Sequence, residues 1–144
     1  MRELGQTLAR EYAGKTPLLV GVLKGAVVFL ADLVRAASIP LALDFIGLAS
    51  YGGGTSSSGV ITVTTDLSGP IHDRHVIVIE DIVDSGRTLD FLRQSLARRN
   101  PRSLRVCVLL DKAGRREVQV PLDYVGFVIP NEFVVWYGLG YGEL

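Results

Sequence analysis

Cysteine and histidine are scarce in this sequence, which holds one cysteine and two histidines among 144 residues. A single cysteine cannot form an internal disulfide, and so few Cys and His side chains provide no metal-binding spacing. Cys107 lies inside the apolar run LRVCVLLD. We therefore expect it to be a buried and unreactive thiol.

The sequence also lacks an excess of charge of either sign. Fifteen Lys and Arg balance fifteen Asp and Glu, which argues against a broad positive surface for nucleic acid. Residues 45–65 carry no charge, but Gly and Ser occupy the middle of the segment, which excludes a membrane span. No basic start with an apolar signal segment follows Met1. We expect a soluble, cytoplasmic protein that binds neither nucleic acid nor membrane.

Apolar residues are abundant, at 48%, and the length suits one packed domain that spans residues 1–144. Short apolar runs predict buried strands, and apolar residues at three- or four-residue spacing predict helices. The predicted strands are 18–23, 41–50, 60–67, 75–81, 103–111 and 122–129. The predicted helices are 1–13, 25–37 and 85–99. Residues 52–59 contain only Gly, Thr and Ser, a composition typical of a mobile loop.

The alternation of strands and helices predicts an α/β fold, a mostly parallel twisted sheet with helices on both faces. Ligands of such sheets bind beyond the carboxyl ends of the strands. Three polar turns fall at those ends: Lys24-Gly25, Glu80 to Thr88, and Asp111-Lys112. We expect these three turns to meet in one crevice that forms the functional site.

The segment from Asp84 to Thr88 directly precedes or opens the third predicted helix. The first N–H groups of a helix have no partner within it, and the helix dipole attracts an anion there. Gly86 allows close approach of the backbone, and the Ser85 and Thr88 hydroxyls add donors. The turn suits a phosphate group, although it is not a Walker A loop, because G-x-x-x-x-G-K-[ST] is absent. The alternative is an ordinary helix start, capped by Asp84 or Ser85.

Two adjacent acids, Glu80 and Asp81, stand at the end of the apolar run VIVI. They cannot both be buried without partners. They suit the two hydroxyls of a ribose, or a hydrated Mg²⁺ held through such hydroxyls. The alternative is a solvated strand end. A sugar beside these acids and a phosphate beside the following turn would together be a ribose 5-phosphate.

The segment VIVIEDIVDSGRT resembles the signature of the type I phosphoribosyltransferases, which bind 5-phosphoribosyl-1-pyrophosphate. Four further segments are similar to the hypoxanthine(-guanine) phosphoribosyltransferases of purine salvage: LLVGVLKGAVVFLADLVRA, DFIGLASYGGGTSSSGV, VCVLLDKAGRR and DYVGFVIPNEFVVWYGL. The resemblance covers nearly the whole chain. It implies a Rossmann-like sheet with a small hood formed near the chain ends.

The resemblance also implies an activity. The phosphoribosyl group would pass to N9 of hypoxanthine, with guanine as a further acceptor, giving IMP or GMP and pyrophosphate, with Mg²⁺ as cofactor. Glu80 and Asp81 would bind the ribose hydroxyls and reach the metal indirectly, through these hydroxyls or water. Asp84 would lie near the purine N7 and act as the general base. The residues implied to wrap the 5′-phosphate are Asp84, Ser85, Gly86, Arg87 and Thr88.

For pyrophosphate, the resemblance implies Lys24, Gly25 and Arg116, with Arg115 as a further neighbour. In the family the peptide that precedes this lysine is often cis, here the peptide from Leu23 to Lys24. Backbone amides of the turn would make much of the contact with the anion.

For the purine, the resemblance implies that Lys112 donates to O6, that Phe133 stacks on the ring and that a backbone group of Val134 reads its edge. Ser50 and Tyr51 would begin a lid that closes during turnover and excludes water. Each position also has an ordinary interpretation. Lys112 would then be an exposed lysine, Phe133 a core residue, and the loop after Tyr51 a disordered linker.

Two residues depart from the family pattern. Gly140 stands where the family usually has Asp, and Trp136 stands where it usually has Gly. The chain also looks short at both ends relative to the family. These differences keep open a regulatory module that binds phosphoribosyl ligands with weak or no catalysis. A transferase for xanthine or for a pyrimidine is a third hypothesis. Because family members are commonly dimers or tetramers, we expect a homodimer or homotetramer.

Overall fold

The structure, a computed structural model, describes residues 1–51 and 59–130. Within them lie six strands and three α-helices. The strands are β1 (Leu18–Leu23), β2 (Ala42–Tyr51), β3 (Val60–Thr65), β4 (His75–Val83), β5 (Ser103–Asp111) and β6 (Tyr124–Val128). The helices are α1 (Arg2–Glu11), α2 (Ala26–Ala37) and α3 (Arg87–Ala97), and a 3₁₀ turn covers Ala113–Arg115.

The strands form one sheet in the order β3-β2-β1-β4-β5-β6. The β1–β2, β1–β4, β4–β5 and β5–β6 pairs are parallel, and the β2–β3 pair at one edge is antiparallel. The predicted mostly parallel sheet is therefore confirmed. Its centre is the β1–β4–β5 set, whose carboxyl ends all face the same side.

Helices cover both faces of this sheet, as predicted. Successive side chains of a strand point to opposite faces, and β4 illustrates the consequence. Val76 and Val78 join the apolar cluster that contains the buried leucines of α3, whereas Ile77 and Ile79 join the cluster of α1 and α2. A strand buried on both faces must be apolar at every position, which explains the continuous VIVI run.

The helices α1 and α2 pack closely on one another at the second cluster. A β-carbon on Gly5 would come within 2.6 Å of the backbone carbon of Ala36, so the small residue is what allows this approach. The first predicted helix is thus part of the layer over the sheet. The rest of the hood expected near the chain ends would fall on residues 131–144, which lie outside the described residues.

At the turn between β4 and α3, both element boundaries lie two residues later than predicted. β4 continues to Val83, two residues beyond the predicted strand, because Ile82 and Val83 pair with Leu110 and Asp111 of β5. α3 then begins at Arg87 and not at 85. The intervening turn consequently covers residues 84–86, where the sequence pattern indicated 82–84, and it leaves the sheet beside the end of β5.

Cys107 is fully buried in the second cluster, as expected. Burial raises the pKa of its thiol to about 12. The loop predicted at 52–59 falls almost entirely outside the described residues. Of the helices that the structure describes, none is long and apolar enough to cross a membrane.

Candidate active site

Three strand ends meet at one edge of the sheet. β4 lies between β1 and β5, and all three run in parallel. The turns after Leu23, Val83 and Asp111 therefore leave the sheet side by side. A backbone hydrogen bond joins two of them, since the Lys112 N–H donates to the carbonyl of Val83 at 3.0 Å. Tertiary pairing thus brings the three turns to the same edge of the sheet, and their joint role as a binding crevice stays a prediction.

The turn that joins β4 to α3 is shaped by Gly86, which has φ of 90° and is the residue before the first helical one. A β-carbon there would meet the Val118 carbonyl oxygen at 2.5 Å and the Arg116 Cδ at 2.8 Å. Glycine is therefore required both by its backbone conformation and by the space available. Gly86 occupies the N-cap position and has no side chain to cap the helix. The Ser85 hydroxyl accepts the N–H of Arg87 instead, so part of the capped helix start that the sequence allowed is present.

A concavity of about 150 Å³ lies against this turn and is lined by Glu80, Ile82 and residues 83–86, 88 and 89. The α3 amide groups at this end are oriented as an anion site requires. The Ser85 hydroxyl accepts a hydrogen bond from the Arg87 N–H at 3.3 Å. Arg87 and Thr88 themselves are exposed. Size, donors and exposure together suit one phosphate group.

Residues 116–118 pack against the turn between β4 and α3 and hydrogen-bond to it. No pattern in the sequence indicated this contact. The N–H groups of Glu117 and Val118 donate to the Ser85 carbonyl, at 2.8 and 3.1 Å. Arg87 Nε donates to Glu117 Oε1 at 3.1 Å, in an ion pair that is exposed on both sides. The charge of Arg87 is therefore shared with Glu117 at the outer rim of the turn.

Asp84 is held by two consecutive arginines. The Arg116 Nε donates to the Asp84 carbonyl at 3.1 Å, and its guanidinium also pairs with the Asp111 carboxylate. Arg115 Nε lies 3.0 Å from Asp84 Oδ1. That contact is an ion pair without hydrogen-bond geometry, so Oδ1, although screened from water, receives no hydrogen bond within the described residues. The Asp84 Oδ1 is thus enclosed against the Arg115 guanidinium at the mouth of the turn.

Arg116 is consequently an inward-facing residue. Its side chain is 11% exposed and that of Asp111 is 12% exposed. The pair ties the end of β5 to the start of the phosphate-sized turn, a positioning contact. Its predicted contact with pyrophosphate stays a prediction. The neighbouring Arg115, 54% exposed, is the guanidinium that reaches the Asp84 carboxylate.

The two acids at the end of β4 are placed differently from one another. Glu80 Oε1 accepts the Asp81 N–H at 3.1 Å, and Asp81 Oδ1 accepts the Ile82 N–H at 2.8 Å. Burial raises the pKa of Glu80 well above its usual range, and the hydrogen bond and charge of Asp81 raise it further. Glu80 is therefore more easily protonated than an ordinary glutamate, and a nearby cation would counteract this shift.

Gly25 brings the end of β1 against these acids. A β-carbon on Gly25 would lie 2.6 Å from Asp81 Oδ2, so the carboxylate occupies the space that a side chain would need. The preceding peptide, between Leu23 and Lys24, is cis. The Lys24 side chain is exposed, and its carbonyl accepts the Val27 N–H at 3.1 Å at the start of α2.

Lys112 is buried, with 5% of its surface exposed. The interpretation of Lys112 as an ordinary exposed lysine after a strand is therefore wrong. Its carbonyl accepts the Arg115 N–H at 3.1 Å, which closes the 3₁₀ turn. The side chain at the end of β5 is therefore turned inward and not solvated.

The structure describes the predicted lid residues Ser50 and Tyr51 but not the predicted purine residues Phe133 and Val134. Ser50 and Tyr51 end β2 and pair with Ile61 and Val60 of β3, at the far edge of the sheet from β5. The Tyr51 side chain is 60% exposed. Phe133 and Val134 lie outside the described residues, as do the departing positions Trp136 and Gly140.

Comparisons with known proteins agree with this geometry. The model of the phosphoribosyl transferase domain family matches residues 1–141. The chain is 50% identical over 143 residues to the bifunctional protein TilS/HprT of Listeria monocytogenes serotype 4b (strain F2365), covering 99% of this chain and 22% of that protein. It is 50% identical over 147 residues to the hypoxanthine-guanine phosphoribosyltransferase of Mycobacterium bovis (strain ATCC BAA-935 / AF2122/97), covering 98% and 73% respectively.

A solved structure is similar throughout the chain. The crystal structure of a hypoxanthine phosphoribosyltransferase from Staphylococcus aureus has a TM-score of 0.94 to this chain at 43% identity. The match covers 99% of this chain and 78% of that one. The chain thus spans most of the length of these single-function relatives and less than a quarter of the bifunctional Listeria protein.

Proposed function

Since the chain belongs to the phosphoribosyl transferase family, we propose that it transfers the 5-phosphoribosyl group of 5-phosphoribosyl-1-pyrophosphate to N9 of hypoxanthine or guanine. The products are IMP or GMP and pyrophosphate, which is a reaction of purine salvage. The relatives named hypoxanthine-guanine phosphoribosyltransferase support this choice of acceptor. The observation that carries the proposal is the turn from Asp84 to Thr88, a phosphate-sized concavity flanked by the acids of β4.

In this assignment each side of the turn serves one part of the donor. The amide groups and hydroxyls from Ser85 to Thr88 hold the 5′-phosphate at the start of α3. Glu80 and Asp81 accept hydrogen bonds from the ribose hydroxyls. The turn formed by Lys24 and Gly25 takes the pyrophosphate, with Arg116 fixing the turn beside it.

Asp84 is assigned as the general base. As N9 forms its bond to C1′ of the ribose, the bond from C1′ to the pyrophosphate oxygen breaks, and the purine loses its N7 proton. The Asp84 carboxylate is the acceptor for that proton. The contact with Arg115 holds the carboxylate in place at the mouth of the turn.

Lys112 is assigned to the purine O6, where an ammonium donor favours 6-oxopurines over adenine. Its burial at the end of β5 supports this role, because the side chain is turned inward and not into bulk solvent. Phe133 and Val134 complete the purine site in this proposal, by stacking and by backbone contact. Ser50 and Tyr51 begin the lid that excludes water from the reacting centre.

The acids at the end of β4 fit Mg²⁺ in an indirect way. Within the described residues, no group of three or more Asp, Glu, His or Cys side chains could hold a metal. Glu80 and Asp81 each use one carboxyl oxygen for a backbone N–H, which leaves the other for a metal-bound water or a ribose hydroxyl. Such a sparse protein contribution is usual for Mg²⁺. Bound there, the ion would offset charge on the departing pyrophosphate.

The test is a steady-state assay of the purified protein against hypoxanthine, guanine, xanthine, adenine and uracil, with Mg²⁺ and 5-phosphoribosyl-1-pyrophosphate. We expect IMP and GMP. We expect Asp84→Asn to lower kcat/KM by roughly 10²–10⁴-fold, whereas Asp90→Asn, a matched charge removal on α3, changes it little. Absence of nucleotide at high enzyme concentration contradicts the proposal. Donor binding by calorimetry without turnover would identify a regulatory module.

We also propose a cytoplasmic location and a homodimer or homotetramer. The resemblance to the phosphoribosyltransferase family motivates both. Light scattering behind size-exclusion chromatography measures the mass, and a monomer at micromolar concentration would contradict the second proposal.

A further inference from the structure

A second concavity, of about 320 Å³, lies at the other end of the same strands. It is lined by residues 14–16, which precede β1, residues 73–75, which enter β4, and Arg102, which precedes β5. Because β1, β4 and β5 are parallel neighbours, their amino ends meet at one edge, as their carboxyl ends do at the other. With β4 running over His75–Val83 at about 3.3 Å per residue, the two edges are about 25 Å apart.

Positive side chains from three segments converge on this concavity. Lys15, Arg74 and Arg102 line it together with one acid, Asp73. Arg102 already pairs with Asp73 through two hydrogen bonds, of 2.9 and 3.2 Å. Lys15 and Arg74 therefore keep their charge towards the cavity, in a chain whose net charge is zero.

Arg74 is the central residue of this group. It is half-buried, and its guanidinium makes no ion pair and no side-chain hydrogen bond with any residue that the structure describes. A partly desolvated guanidinium ordinarily lies beside a carboxylate or phosphate. Among the described residues no acceptor side chain engages its donors, which leaves the guanidinium suited to an anion.

The surroundings hold these side chains in place. The Arg74 carbonyl accepts the Arg102 N–H at 2.8 Å. His75 shares a hydrogen bond of 2.7 Å between Nδ1 and the Ser103 hydroxyl, which leaves Nε2 as its other polar atom. The Lys15 ammonium lies 5.9 Å from the centre of the Tyr12 ring. The charges are therefore arranged before any ligand arrives, which lowers the cost of binding.

Backbone conformation marks the same edge. Thr16, Asp73 and Asn100 all have positive φ, of 45°, 60° and 56°. The Asp73 N–H donates to the Asn100 carbonyl at 2.9 Å, so two of these residues are joined. For the β-branched Thr16 this conformation is an outlier. Such conformations persist where the surrounding structure imposes them, and they concentrate at binding sites.

We propose that this concavity is a second anion site that binds a phosphate-bearing ligand, separate from the proposed active site. The Arg74 fork would contact two phosphate oxygens, as guanidinium groups do. Lys15 and the His75 Nε2 would complete the contacts from either side. The volume accommodates a diphosphate or the phosphate end of a nucleotide.

The experiment is a ¹H–¹⁵N correlation titration of the whole protein with inorganic pyrophosphate, and separately with IMP. We expect saturable shifts of the amides of residues 14–16, 73–75 and 102, in addition to any shifts at 85–88. Arg74→Gln should weaken binding at the first group about tenfold, the loss expected for one charge-assisted contact. Lys15 is exposed, so Lys15→Gln should leave the fold intact. This variant should also weaken the binding that the amides of residues 14–16, 73–75 and 102 report. Arg98→Gln, an arginine at the end of α3 outside both sites, is the matched control.

The two groups of amides separate this inference from the proposed function. The second site is overturned if pyrophosphate shifts the amides of residues 85–88 alone. It is also overturned if the shifts at 14–16 and 73–75 persist in both Arg74→Gln and Lys15→Gln. Neither result affects the proposed active site. Shifts confined to the amino edge support the second site and count against the proposed function. Pyrophosphate binding with no IMP binding at this edge would restrict the ligand to diphosphates, and the reverse would restrict it to nucleotides.

Discussion

The Asp81 carboxylate lies directly against the backbone of Gly25. The space for a β-carbon on Gly25 is taken by the carboxylate, whose Oδ2, Cγ and Oδ1 atoms would be 2.6, 2.9 and 3.0 Å away. Gly25 has φ of −56° and ψ of −34°, a conformation that any residue adopts. The need for glycine therefore comes from Asp81 and not from the backbone.

This contact predicts the effect of Gly25→Ala. The methyl group must displace Asp81, so we expect the free energy of unfolding to fall by about 1–3 kcal/mol and donor binding to weaken. Urea unfolding and the KM for 5-phosphoribosyl-1-pyrophosphate measure the two effects. In an Asp81→Ala background the same substitution should cost little stability, because the clash is gone. Gly69→Ala, where nothing lies within 4 Å of the added carbon, is the control.

The buried pair of Arg116 and Asp111 predicts a large loss of stability in Asp111→Ala. Removing one partner leaves the other charge buried without compensation, at a cost of about 3–5 kcal/mol. Guanidinium unfolding measures it. Arg35→Ala, which breaks a surface pair whose arginine is 70% exposed, should cost at most about 1 kcal/mol. Equal losses of unfolding free energy in the two variants would show that the buried pair stabilises the fold no more than a surface pair does.

The raised pKa of Glu80 predicts how stability depends on pH. A carboxyl whose pKa is raised by folding binds more protons in the folded state, so stability falls as pH rises above its ordinary value of 4.5. Glu80→Gln removes this loss. We expect the variant to be more stable than the wild type at neutral pH and equal to it below pH 4.5, while binding the donor less well. If the unfolding free energies of the wild type and of Glu80→Gln change in parallel from pH 4 to 8, the prediction is contradicted.

The burial of Cys107 predicts that its thiol is unreactive in the native protein. Its side chain is fully buried and its pKa is about 12, so thiolate is scarce and enclosed at pH 8. Ellman's reagent should detect almost no thiol in the folded chain and the one cysteine after denaturation in guanidinium. Rapid reaction under native conditions would mean that the β5 layer opens readily.

Much of this molecule follows from local patterns in its sequence. The alternation of apolar runs and helical spacing predicted all six strands and the three helices, because burial on one or both faces dictates which positions are apolar. The turn from Glu80 to Thr88 could be assigned to a ribose phosphate because its residue types carry that chemistry wherever they stand. Sequence resemblance assigned the family.

Contacts between distant segments could not be read in this way. Arg115 and Arg116 are adjacent and alike in sequence, yet one reaches Asp84 at the surface and the other turns inward to Asp111. Gly25 is required by an acid 56 residues later, and Lys112 is buried because its strand ends beside β4.

The order of strands in the sheet explains why the elements could be predicted from the sequence and the contacts between distant residues could not. The sequence by itself determined which segments are strands and helices, and it predicted which turn would hold a phosphate, since both depend on neighbours along the chain. Only the tertiary structure decided which charges meet, because β1, β4 and β5 become neighbours through pairing and not through sequence. That same pairing brought Arg74 and Lys15 to one concavity at the opposite edge, where the lining acid, Asp73, pairs with Arg102.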